Sequence, residues 1–128
     1  DLNREKFKSE NLLAVLNNTE SNANKNLKYL RNAMDVRSKL KQFHPCSQMK
    51  CLSKGRSDIV VIKRGKGLES VFAIHNMTEN KINYQLNDND LPKIIDNDFN
   101  THDFLTSTKY NCKNISLDPF QVIWLSAL

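Results

Sequence analysis

Two different hydrophobic periods divide this chain. In SENLLAVLNN a run of strong helix formers follows Ser9, which reads as the N-cap of a helix of about two turns. TESN then supplies turn and capping residues. From Ala23 onward the apolar positions fall at Ala23, Leu27, Leu30, Met34 and Leu40, with Ala33 and Val36 beside them. Steps of three and four residues place these side chains on one face of a second helix. Lys25, Lys28, Arg31, Lys39 and Lys41 surround that stripe. His44-Pro45 ends the helical pattern, because proline pushes the residue before it out of the helical region.

Beyond Pro45 the period drops to two. DIVVIKR, SVFAIHN, INYQL, NISL and PFQVIWL are short β-prone runs separated by RGKG, MTENK and LDP. Strands without intervening helices predict an antiparallel sheet or small sandwich. Within VFAIHN, Val71, Ala73 and His75 point to one face and Phe72, Ile74 and Asn76 to the other. The expected class is α+β: a helical lead-in over residues 1–45, then an all-β antiparallel sandwich over residues 46–128. Two helices with a single apolar face need a partner, and the β half is expected to cover only part of it.

At 128 residues the chain has the size of one average domain. Its net charge of +5 is unevenly spread. Basic residues concentrate between Lys25 and Lys66, whereas the stretch over 87–103 carries Asp88, Asp90, Asp96, Asp98 and Asp103. A solvated surface explains this pattern as well as a binding stripe does, so no nucleic-acid partner is expected. No apolar run approaches the roughly 18 residues of a membrane span, and DLNREKFK does not resemble a secretory leader. No membrane partner is expected. Three cysteines make an odd count, which fits reduced thiols and a cytoplasmic location.

FHPCSQMKC brings His44, Cys46 and Cys51 close in sequence, and His75, His102 and Cys112 lie elsewhere. Structural zinc sites show closely paired ligands repeated along the chain; here the second pair is absent, and no metal or other cofactor is expected. His44 and Cys46 could form a nucleophilic dyad, but nothing in the surrounding sequence activates the thiol. Asp88/Asp90 and Asp96/Asp98 read as solubilising loop charges rather than an acid–base pair. Tyr110 and Trp124 could stack on a sugar or a base, though a Trp inside VIWL reads as core.

Read together, NLKYLRNAMDVRSKLKQFHPCSQMKCL, IVVIKRG, VFAIHNMT and LDPFQVIWL follow one another in an order that resembles glycoside hydrolase family 13, the α-amylase superfamily. The look is nearest to sucrose phosphorylase and related glycoside phosphorylases, whose FHP turn followed by Gln is matched by Phe43, His44, Pro45 and Gln48. DLNREKF is similar to the D-I-N-R segment after the last barrel strands. The resemblance implies that residues 1–45 are the last loop and helices of a TIM-type barrel and that residues 46–128 form the C-terminal sandwich. It implies retaining α-glucosyl transfer by an Asp nucleophile and a Glu acid/base, to phosphate in a phosphorylase or to water in a hydrolase, with both residues upstream of Asp1 and no catalytic residue in this segment. Carbohydrate and phosphate would be bound through that barrel. Arg4 would hydrogen-bond glucose hydroxyls, Asp1 and Asn3 would shape the loop behind it, and Arg37 would anchor the helix. The competing expectation is a free-standing β-sandwich binding module with a helical arm.

Overall fold

A computed structural model describes residues 8–91 and 99–127. It separates two compact units, one ending at Val36 and the other beginning at Arg37.

The first unit is helical. It holds helix α1, Ser9–Asn17, and most of α2, Asn22–Lys39, whose last three residues belong to the second unit. Ser9 is not the N-cap of α1: that position is taken by Lys8, in extended conformation and without a side-chain capping bond. The Lys8 carbonyl accepts the first helical hydrogen bond, from the Leu12 N–H at 3.1 Å. Capping by a serine hydroxyl occurs instead at α2, where Ser21 Oγ accepts the Asn24 N–H at 3.1 Å. Asn24 is buried, and its Nδ2 donates to the Leu16 carbonyl at 2.5 Å, tying the two helices at their corner. Their apolar side chains are poorly covered: Leu13 is 58% exposed, Leu30 56% and Met34 70%. The helix ends at Lys39, before His44-Pro45, and a 3-10 turn over Lys41–Phe43 carries the chain onward.

The second unit is β-rich. Strands β1 (Met49–Cys51), β2 (Ile59–Arg64), β3 (Val71–Asn76) and β8 (Val122–Ser126) form an antiparallel sheet in the order β1-β2-β3-β8. Two ribbons accompany it: β4 (Ile82–Tyr84) with β7 (Ile115–Leu117), and β5 (Asn100–His102) with β6 (Lys109–Asn111). Each run with clear β-branched or alternating character became a strand. The triplets of β1, β5 and β6 (MKC, NTH and KYN) carry no such pattern and were not legible as strands.

Register shows how alternation builds the core. Val61 pairs with Ile74 and Ile74 with Ile123, while Phe72 pairs with Leu125. These side chains leave one face of the sheet and join Ile115 and Leu117 of β7, Leu86 and Cys112 in a single buried cluster. Burial of such aliphatic and aromatic groups is worth roughly 1.5–3 kcal/mol each before entropy is counted. On the opposite face lie Ile62, Ala73, His75 and Trp124, as the alternation of VFAIHN predicts.

Candidate functional site

The chain after α2 folds back over that opposite face. Arg64, at the end of β2, donates from Nε to the Gln42 carbonyl at 3.1 Å and from Nη2 to the His44 carbonyl at 2.8 Å. Both bonds fix the backbone of the FHP turn against the sheet. A charged donor on two carbonyls suits this task, since the guanidinium fork is planar and permanently protonated. Gly65, at φ +81°, lets the strand turn away beneath Gln42; a Cβ there would sit 2.9 Å from Gln42 Cγ.

Phe43 thereby reaches Trp124, with ring centroids 4.7 Å apart and planes tilted by 43°. The Arg37 guanidinium lies 5.7 Å from the Phe43 centroid, a cation–π distance. Ala73 is the cross-strand partner of Trp124 and of Ile62, and its small side chain leaves room beside the rings. The result is a cleft of about 370 Å³ lined by Arg37, Phe43, Pro45, Met49, Ile62, Arg64, Ala73, His75 and Trp124. Trp124 is therefore an outer-face residue, partly buried, and not a member of the core that its place in VIWL suggests. Burial lowers the pKa of His75 below the usual histidine value, because desolvation disfavours the imidazolium.

A second cleft of about 570 Å³ lies on the other side of the turn, between Lys41, His44, Cys46, Gly65, Lys66 and Glu69. Lys41 and Glu69 form an ion pair at 2.8 Å across it, both largely exposed. The Cys46 N–H donates to His44 Nδ1 at 3.2 Å, which engages that nitrogen with the main chain rather than with the thiol. The histidine and the cysteine are thus neighbours without forming a dyad.

The remaining candidates are dispersed. Cys51 is exposed at the end of β1, His75 faces the outer cleft, and His102 is exposed and edge-on to Phe104 at 5.1 Å. Cys112 is buried in the core, and desolvation raises its pKa to about 11. Among the described residues no three His, Cys, Asp or Glu side chains come together as a metal centre would require. Tyr110 is partly buried against the core, and its hydroxyl accepts from Gln121 Nε2 at 3.0 Å. Arg4, Asp1, Asn3, Asp96 and Asp98 lie outside the described residues.

The acidic segment departs most from expectation. Asp90 is largely buried, pairs with Lys50 Nζ at 2.7 Å, and its carbonyl accepts from Lys63 Nζ at 2.6 Å. Asp88 pairs with Lys113. Asp103 is fully buried: Oδ1 accepts the Trp124 N–H at 2.7 Å and the Leu105 N–H at 3.1 Å, and Oδ2 accepts the Thr106 hydroxyl at 2.7 Å. Solubilising charge describes neither Asp90 nor Asp103. The signal available in the sequence was THDFLT, an acid set among turn-forming hydroxyl residues, whose partner strand is distant.

The site and its scaffold define an α+β chain whose β unit carries no assembled catalytic group among the described residues. No family model and no curated protein matches it. Solved structures do: the chain is similar to AmyP in complex with maltose, with a TM-score of 0.67 at 16% identity, over 84% of this chain and 21% of that one. It is also similar to the trehalose-6-phosphate hydrolase TreA of Bacillus licheniformis, with a TM-score of 0.50 at 19% identity, over 89% of this chain and 20% of that one. At such identities the likeness is one of fold. The chain spans about one fifth of the length of each of these two proteins. No helix among the described residues is long and apolar enough to cross a membrane.

Proposed function

We propose that this chain is the C-terminal portion of a retaining α-glucosyl-transferring enzyme of glycoside hydrolase family 13, sucrose phosphorylase-like in reaction. Residues 1–45 complete the barrel, and residues 46–128 form a sandwich domain that braces it. The reaction belongs to the barrel. An Asp carboxylate displaces the leaving group from the anomeric carbon while a Glu protonates it, and phosphate then displaces the Asp to give α-glucose 1-phosphate. Carbohydrate and phosphate bind there, and Arg4 contributes hydrogen bonds to glucose hydroxyls. The setting is cytoplasmic, in keeping with three unpaired thiols.

One observation carries this reading. Phe43 of the FHP turn and Trp124 of the terminal LDPFQVIWL run, the two motifs most particular to the resemblance, are in ring contact, with centroids 4.7 Å apart. They meet within a fold shared with a fifth of AmyP and of TreA. The exposed Leu30 and Met34 on α2 add support, because a barrel-completing helix needs neighbours on that face.

The test is made on the natural gene product containing this segment. Its mass should correspond to several hundred residues, and it should release α-glucose 1-phosphate and fructose from sucrose in the presence of phosphate. An Arg4→Ala variant of that product should retain its fold and lose most activity. A natural product of 14.8 kDa without activity on any α-glucoside would overturn the proposal.

A further inference from the structure

The outer cleft between the FHP turn and the sheet has a composition that the glucosyl-transfer reading does not use. Its floor is apolar and partly aromatic, made by Phe43, Trp124 and Ala73. Its polar walls are Arg37, Arg64 and His75, and no carboxylate lines it. Arg64 is held rigid by its two bonds to turn carbonyls. Arg37 is exposed beside the Phe43 ring and forms no ion pair among the described residues.

We propose that this cleft binds a small organic anion with a flat apolar body, an aryl carboxylate or aryl phosphate monoester. The aromatic floor would take the flat body by stacking, which is worth about 0.5–1.5 kcal/mol beyond area burial. The guanidinium of Arg37 would take the anionic head, with the bidentate geometry that suits both carboxylate and phosphate. A neutral sugar fits less well: its hydroxyls donate as well as accept, and the two guanidinium groups on the walls offer donors alone. The volume of about 370 Å³ falls in the small-molecule range. All these residues belong to the β-rich unit. The inference stands apart from the enzymatic reading, and either can fail without the other.

Trp124 is the single tryptophan of the chain, so its fluorescence reports this cleft directly. The 128-residue chain is titrated with phenyl phosphate and with benzoate, beside benzyl alcohol, inorganic phosphate and maltose. A saturable change with either aryl anion, absent with the other three, supports the site, and the anion that acts identifies the head group. Arg37→Gln should weaken that binding about tenfold with circular dichroism unchanged. The proposal is overturned by no saturation with either anion up to about 10 mM, by equal binding of benzyl alcohol, by binding of maltose alone, or by unaltered affinity in Arg37→Gln.

Discussion

Removing the Asp103 carboxylate should destabilise the β-rich unit more than any other single change to an acidic side chain described above. The carboxylate is fully buried and serves three donors: the main-chain N–H groups of Trp124 and Leu105 and the Thr106 hydroxyl. In Asp103→Ala the hydroxyl can turn elsewhere, but the two N–H groups cannot. Each stranded donor costs about 1–3 kcal/mol, so the variant should lose about 2–6 kcal/mol. That is a large share of the roughly 5–15 kcal/mol that holds a typical domain together. Asp103→Asn keeps an acceptor at Oδ1 for both N–H groups and gives up mainly the charge assistance, at a cost of about 1–2 kcal/mol. Urea unfolding read by Trp124 fluorescence follows this unit, and circular dichroism follows the helices separately, so that a two-step transition is not mistaken for one. If Asp103→Ala unfolds within about 1 kcal/mol of the parent chain, or if Asn is as damaging as Ala, the stranded-donor account is wrong.

Trp124→Ala should cost about 2–3 kcal/mol, below the 3–5 of a fully buried aromatic, since one side of the indole faces the cleft and the chief loss is the Phe43 contact; urea unfolding followed by circular dichroism measures it, and a larger loss would return Trp124 to the core. In the native chain a thiol reagent should label the exposed Cys46 and Cys51 promptly and Cys112 only on unfolding, because that thiol is buried with a pKa near 11; mass spectrometry after a short pulse should find two adducts, and three would contradict the packing. His75 has a folded pKa below the ordinary 6.5, so the unfolded chain binds the extra proton first. Its contribution to stability is complete above pH 6.5 and falls away as pH drops from there toward the lower folded value. His75→Gln should flatten the stability profile in that window, and an unchanged slope would refute the assignment.

Much of the β unit could be read directly from alternation. In VFAIHN, neighbouring side chains go to opposite faces whatever the rest of the molecule does, so period alone separated Phe72 and Ile74 from Ala73 and His75, and packing decided that the first pair enters the core. The stripe of α2 followed in the same way from steps of three and four. Local chemistry misled at Ser9, where a good capping residue sits one position inside the helix, behind an extended Lys8.

Charge and aromatic roles were decided only by distant partners. Asp103 and Asp90 look like the other acids of their segment until the fold brings the Trp124 N–H to one and Lys50 to the other. Trp124 looks like core until Phe43 arrives from the far end of the unit and reveals that the strand shows it to the opposite face. Periodicity is a property of consecutive residues and is therefore written in the sequence. Desolvation and hydrogen-bond partnership depend on which remote groups share a space, and the tertiary structure alone determines that.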